Sequence, residues 1–107
     1  MRNPDRGEVW LVDLGLAAKT RPCLVLSIPA TEDTDRALVT MISNTTSVRG
    51  SRFEVQAPAP FLKHGAFDAQ NLVTIPAAKL IRRLGVLDEG QLESVVAVVS
   101  HWLGLNR

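Results

Sequence analysis

The chain has 107 residues, of which 46 % are hydrophobic and 21 % are charged. This composition is typical of one globular domain, residues 1–107, and no apolar run approaches the roughly 20 residues that a membrane helix requires. A net charge of +1 argues against a protein that coats nucleic acid with its whole surface. Because residues 1–6 are followed by no secretion-type apolar run, we expect a cytoplasmic protein without membrane contacts.

The first predicted elements are two apolar strands joined by a short link. The strands cover residues 7–14 and 21–27, and the residues between them can close a hairpin. Pro22 has no backbone donor, so it should mark the start or an edge of the second strand. Arg21 then lies at the mouth of the hairpin, where it is a candidate anion site.

Residue types that support metal or nucleotide chemistry are sparse. Cys23 is the single cysteine and lies in an apolar run, so we expect a buried core thiol and not a nucleophile. His64 and His101 are isolated, and the glycines form no phosphate-binding loop. The sequence therefore predicts no metal site and no cofactor.

Further strands follow this hairpin, and the chain ends in a helix. We predict a loop at 28–36, a hydroxyl-rich connection at 43–51, an irregular segment at 57–65, and strands at 37–42, 53–55, 71–75 and 79–84. Asp88 and Gln91 have the spacing of a capping box that opens a helix over 88–103. Its apolar stripe contains Leu92, Val95, Val96, Val99 and Leu103. The fold class is mainly β with one C-terminal helix, as a bent sheet or a partly open barrel.

Basic and hydroxyl side chains concentrate in the middle of the chain. From residue 36 to residue 83 there are seven lysines and arginines but only two acidic residues. The candidate phosphate donors are Arg21, Ser43, Thr45, Thr46, Arg49 and Arg52. If the phosphate belongs to RNA, the adjacent 2′-hydroxyl supplies the nucleophile and no metal is required. On residue types alone, Arg21 could instead make a surface ion pair, and the hydroxyls could satisfy backbone groups of a turn.

At these residues the sequence resembles the MazF/PemK toxins of bacterial toxin–antitoxin modules. Residues 6–14 resemble the opening strand of that family, residues 21–27 its Arg-Pro strand, and residues 41–44 its strand that ends in a hydroxyl residue. The similarity continues through Gly50, residues 53–55, Gln70 and the strand and helix at 79–103. It follows the family's order over nearly the whole chain.

This resemblance implies an SH3-like small β-barrel of the CcdB/MazF/PemK type and a homodimer that cleaves single-stranded RNA without a metal. It assigns reaction roles to Arg21 and Ser43, with Thr45 as the choice if the alignment is counted back from residues 53–55. Arg21 would stabilise the charge of the transition state, and the hydroxyl would position the phosphate. Further RNA contacts are assigned to Lys19, Thr46, Arg49, Arg52, Asp68 and Gln70. A cognate antitoxin is the expected protein partner.

The sequence departs from the family pattern at several positions. The first loop is short, Ala69 stands where an acid is frequent, and Val73 and Pro76 replace a basic and an acidic residue. The alternative function is an interaction module without ribonuclease activity, such as a CcdB-like poison of DNA gyrase or a catalytically impaired regulator. Gyrase poisons of that family use C-terminal residues, but we expect Trp102 and Leu103 of this chain to pack in the core.

Overall fold

The protein is described by a computed structural model that covers residues 3–15, 19–34 and 37–105. The middle of the predicted first loop, residues 16–18, and the predicted loop charges Asp35 and Arg36 lie outside the described residues. The elements, in chain order, are β1 (Glu8–Asp13), β2 (Thr20–Val25), β3 (Leu38–Thr45), β4 (Glu54–Val55), β5 (Ala66–Pro76), a 3-10 turn (Ala77–Lys79), β6 (Leu80–Val86) and α1 (Glu89–Trp102).

The strands form one antiparallel sheet in the order β4-β5-β3-β2-β1-β6. This arrangement, with α1 at the end of the chain, confirms the predicted mainly β fold with a C-terminal helix. Within the described residues, β4 and β6 are edge strands and the sheet is not closed. Pro22 lies near the start of β2, where β2 pairs with β1 and the pairing with β3 has not yet begun. Its missing N–H therefore removes no bond to β3.

Two strands are longer than predicted. β3 continues through Ser43 and Asn44 to Thr45, and β5 begins at Ala66, so the expected hydroxyl-rich connection is partly strand and Gln70 lies inside β5. Ser43 pairs with Cys23, and Asn44 pairs with Phe67. Backbone pairing on both sides of β3 therefore outweighs the turn preference of these polar side chains.

Both faces of the sheet are buried, which explains the imperfect alternation in the first two strands. On one face, Val9, Leu24 and Phe67 pack with the helix residues Val95 and Val99. The opposite face has its own apolar cluster, which contains Val12, Cys23, Val25, Met41 and Leu80.

The Cys23 thiol is a core group, as predicted. Cys23 has no exposed surface. Burial raises the pKa of this thiol to about 12, against a smaller opposing effect of the Arg21 charge. Since only the thiolate is an effective nucleophile, Cys23 has a packing role.

Helix α1 has a defined hydrogen-bonded motif at each end. Asp88 accepts from the Gln91 backbone at 2.8 Å, and the Gln91 side chain accepts from the Asp88 backbone at 3.3 Å, so the predicted capping box is confirmed. At the other end, Gly104 has φ +72° and the Leu105 N–H donates to the Ser100 carbonyl at 2.9 Å. This is the Schellman arrangement, for which glycine is favoured.

Replacing Asp88 with alanine is expected to lower the free energy of unfolding by about 1 kcal/mol, because the first turn of α1 loses its capping acceptor. Urea unfolding followed by circular dichroism measures this change. An Asp88→Asn variant retains an acceptor oxygen and should stay close to the wild-type midpoint. Equal losses in both variants would contradict the capping role.

The end of α1 differs from the prediction. Trp102 is 44 % exposed and Leu103 is 50 % exposed, so their expected placement in the core is wrong. The helix is anchored by Val95 and Val99, and its last turn extends beyond that buried stripe. Trp102 contacts Phe53 edge to face, with ring centroids 5.4 Å apart. No helix in the described part of the chain has the length and apolar character needed to span a membrane.

Candidate active site

The sheet register brings Arg21 to the two candidate hydroxyls. Cys23 of β2 pairs with Ser43 of β3, and Arg21 and Thr45 each lie two residues from this pair, at the start of β2 and the end of β3. Side chains two positions apart on a strand share a face. Arg21, Ser43 and Thr45 accordingly line one open cavity of about 390 Å³, here called the hydroxyl cavity.

The two candidate hydroxyls, Ser43 and Thr45, keep the ability to donate a hydrogen bond. Thr45 Oγ1 accepts from the Ser47 backbone at 3.1 Å, which leaves its own O–H available. Ser43 is only 6 % exposed, and its Oγ lies 3.5 Å from Asn71 Nδ2, at the long limit of a hydrogen bond. Ser43 is thus the deeper hydroxyl and Thr45 the more accessible one, and both alignments lead to the same cavity.

The charged wall of the hydroxyl cavity contains Arg49 and Asp68. Their closest atoms, Arg49 Nη2 and Asp68 Oδ2, are 3.7 Å apart, and the Arg49 side chain is 78 % exposed. Such an exposed pair is screened by water and contributes little to stability. Arg49 therefore remains available to an incoming phosphate.

The segment that carries Arg49 is held by Glu54. The Glu54 carboxylate accepts from the backbone N–H groups of Arg49 and Ser51, at 3.1 Å and 2.8 Å. These two hydrogen bonds are the main cause of the lowered pKa of Glu54. The carboxylate consequently stays ionised at neutral pH and fixes the backbone beside the cavity.

A second cavity of about 400 Å³ adjoins the first, and Arg21 lines both. Its cationic residues are Lys19, Arg21, Lys63 and Arg82, and none of the described acidic residues lines it, so we name it the basic cavity. Part of its wall is apolar and includes Leu11, Phe61 and Leu84. A cavity with cations beside an apolar wall suits a nucleotide, which combines a charged phosphate with a flat base.

The predicted RNA contacts divide between these cavities. Arg49 and Asp68 line the hydroxyl cavity, whereas Lys19 and Thr46 line the basic cavity. The other two predicted contacts line neither of these cavities. Arg52 lies over the Phe53 ring, 4.7 Å from its centroid. Gln70 is exposed, and its backbone N–H donates to Asp68 Oδ1 at 3.1 Å.

Sequence reasoning missed several lining residues, namely Ser47, Asn71, Lys63 and Arg82. Lys63 and Arg82 belonged to the central excess of basic residues, but nothing in their spacing distinguished them from Arg83. The structure does distinguish them, because Arg83 Nε donates to Glu8 Oε2 at 2.7 Å. Burial alone would raise the pKa of Glu8, but hydrogen bonds from the Asp5 backbone, Trp10 and Arg83 lower it overall.

None of the described residues form a cluster of histidine, cysteine, aspartate and glutamate side chains able to hold a metal ion. The described residues that line the two cavities offer guanidinium, ammonium, hydroxyl and amide groups and one carboxylate, that of Asp68. These groups can bind a phosphodiester and stabilise negative charge on it.

Comparison with known proteins supports this interpretation. Residues 5–103 match the family model described as PemK-like, MazF-like toxin of type II toxin-antitoxin system. The chain belongs to this toxin family. The match confirms the resemblance inferred from the opening strand, the Arg-Pro strand and the strand that ends in hydroxyl residues. A search of curated proteins gave no match.

Solved structures show the same MazF-like fold. An endoribonuclease in complex with its cognate antitoxin from a mycobacterial species is 27 % identical, with a TM-score of 0.81 over 97 % of this chain and 98 % of that one. An endoribonuclease from a mycobacterial species is 25 % identical, with a TM-score of 0.81 over 100 % and 97 % of the two chains. MazF from Deinococcus radiodurans is 27 % identical, with a TM-score of 0.79 over 97 % and 99 %.

The structure explains one departure of this MazF-like toxin from the family pattern, the alanine at position 69. Ala69 is fully buried in the core beneath α1, where a carboxylate would be unpaired and costly. Asp68, one residue earlier, lines the hydroxyl cavity. The strand thus presents a carboxylate to the cavity from position 68, although position 69 lacks one.

Proposed function

We propose that this MazF-like toxin is an endoribonuclease that cleaves single-stranded RNA in the hydroxyl cavity. The observation that carries the proposal is the convergence of Arg21, Ser43 and Thr45 on one open cavity. Arg21 comes from β2 and the two hydroxyls come from β3, so the sheet register brings the guanidinium to them. The endoribonuclease activity of similar solved structures supports the same conclusion.

In the proposed reaction, the ribose 2′-hydroxyl gives its proton to water as its oxygen attacks the adjacent phosphorus, and the bond from phosphorus to the 5′-oxygen breaks as that oxygen takes a proton from water. The products carry a 2′,3′-cyclic phosphate and a 5′-hydroxyl. Arg21 binds the phosphate oxygens and stabilises the charge that develops on them. The hydroxyls of Ser43 and Thr45 donate to the phosphate and hold the 2′-oxygen in line with the leaving group. The nucleophile belongs to the substrate, so this reaction needs no metal or cofactor.

The proposal is tested with a long single-stranded RNA in the presence of a chelator, followed by mapping of the cut ends. Discrete cuts with cyclic phosphate and 5′-hydroxyl ends are expected. A matched RNA with a single 2′-deoxynucleotide at a mapped site should stay intact at that site only. Cleavage of the deoxy site, or 5′-phosphate products, would contradict the mechanism. Intact RNA together with inhibition of gyrase supercoiling would favour the gyrase-poison alternative.

The proposal includes a cytoplasmic site of action, a homodimer and neutralisation by a cognate antitoxin. An acidic segment of the antitoxin would bind the basic cavity, because Lys19, Lys63 and Arg82 line it and no acid among the described residues does. A second copy of the chain would cover exposed apolar side chains such as Ile81 and Val86 on the edge strand β6. A similar mycobacterial endoribonuclease has been solved in complex with its cognate antitoxin, which supports the antitoxin as a partner.

A further inference from the structure

A third cavity shares two lining residues with the basic cavity. It encloses about 220 Å³ and is lined by Asn44, Gln56, Lys63, His64 and Gly65 together with apolar residues of the segment 57–62. We call it the amide pocket. Asn44 and Lys63 line both the amide pocket and the basic cavity. Arg21 in turn lines both the basic cavity and the hydroxyl cavity, so each cavity shares lining residues with the next.

Asn44 is an unusual residue in this path. It is only 7 % exposed, and its side chain makes no hydrogen bond to any described residue. Every fully buried side-chain nitrogen or oxygen in the described part of the chain has a partner, so the Asn44 amide atoms must keep some accessible surface. These accessible amide atoms can hydrogen-bond a ligand in the pocket, because no described residue already occupies them. Asn44 is therefore a candidate binding residue.

The shape and chemistry of the amide pocket suit a nucleobase. Asn44 offers one donor and one acceptor side by side, and the neighbouring Gln56 offers the same pair of groups. Such an amide complements the edge of adenine, where N6 donates and N7 accepts. Pro58 and Leu62 add apolar wall against which a base can lie, while Lys63 stands at the junction with the basic cavity, where the phosphate chain would pass.

We propose that the amide pocket binds one base of the RNA at a fixed distance from the cut and that Asn44 selects that base. This inference rests on the proposed endoribonuclease function and adds a specificity-determining residue to it. Asn44 lies between Ser43 and Thr45 in the sequence. The strand end that carries the two hydroxyls therefore also sets the position of the selecting amide. The distance between the selected base and the cut phosphate is therefore fixed by the strand itself.

The test is cleavage of an RNA library randomised around a mapped cut site, with sequencing of the cut ends. The wild-type protein is expected to favour one base at one position by about tenfold or more. Asn44→Ala should lose this preference at that position alone. Asn44→Asp removes the donor and should move the preference toward guanine, whose Watson–Crick edge offers two adjacent donors.

Two further variants keep the test decisive. Asn3→Asp makes the same chemical change at an exposed residue that lines none of the three cavities, and its base profile should match the wild type. Gln56→Ala removes an amide from the exposed rim of the pocket without touching the core, and should weaken the same preference if the Asn44 variants fold poorly.

Cleavage by all variants with the wild-type base profile would overturn the inference and leave the proposed function intact. The same holds if Asn44→Ala alters only neutralisation by an antitoxin, because the pocket would then belong to that partner. Absence of any cleavage by the wild-type protein would overturn the proposed function, and this inference with it.

Discussion

RNA cleavage by an Arg21→Ala variant is expected to be about 100- to 1,000-fold slower than by the wild-type protein. Arg21 lines both the hydroxyl cavity and the basic cavity, so its loss removes the shared cation at their junction. Single-turnover rates on an RNA with one mapped cut site measure the effect. Arg21→Lys keeps the charge but loses the planar guanidinium, which can donate two parallel hydrogen bonds. Its cleavage rate should lie between those of the wild type and Arg21→Ala.

The matched control for this prediction is Arg6→Ala. Arg6 is an exposed arginine that lines none of the three cavities, so its removal changes the net charge equally but should leave the rate within about twofold of the wild type. Thermal unfolding of each variant separates a catalytic loss from a folding loss. An Arg21→Ala variant that is folded and as fast as Arg6→Ala would remove Arg21 from the reaction.

A Gly65→Ala variant is expected to lose about 1–3 kcal/mol of unfolding free energy. A Cβ atom at this position would lie 2.3 Å from the Thr45 backbone carbonyl oxygen and 3.0 Å from Asn44 Oδ1. Because the first contact is with backbone, the end of β3 must move. We therefore expect slower RNA cleavage as well, since a displacement of Thr45 disturbs the positioning of the phosphate.

Gly90→Ala provides the comparison for Gly65→Ala. Its added Cβ would lie 3.5 Å from Asp88 Oδ1, an ordinary contact, and alanine favours the helix by up to about 1 kcal/mol over glycine. This variant should be as stable as the wild type or slightly more so, with unchanged cleavage. Urea unfolding and the single-site RNA assay measure both properties. A Gly65→Ala protein of wild-type stability would show that the strand end yields easily.

The sequence predicted the elements whose signals are local. The capping box of Asp88 and Gln91 needed only a spacing of three residues, and the burial of Cys23 followed from its apolar neighbours. The extension of β3 through Ser43 and Asn44 could not be predicted in this way. It depends on pairing with β2 and β5, which are distant in the chain and supply the backbone partners of these polar residues.

The candidate site shows the same division. Arg21 and the hydroxyls were named from residue types and from the family resemblance, and the structure brings them to one cavity. Asn71 and Arg82 were missed because the register of β5 on β3 and of β6 on β1 brings their side chains to the cavities. This register cannot be deduced from the sequence of a single strand. The assignment of Gln70 to RNA stays a prediction. The pairing of β3 with β5 is irregular near it, and the Asn71 side chain contacts Ser43.

The base of the β1–β2 hairpin is closed by backbone bonds that do not involve the tip of its loop. The Leu14 N–H donates to the Lys19 carbonyl at 2.9 Å, and the Lys19 N–H donates to the Gly15 carbonyl at 2.7 Å, with Lys19 at φ +59°. These bonds fix the backbone of Lys19 immediately before the start of β2. Peptides grafted between Gly15 and Lys19 should therefore leave the start of β2 in register, which makes this hairpin a suitable position for engineering new RNA preferences.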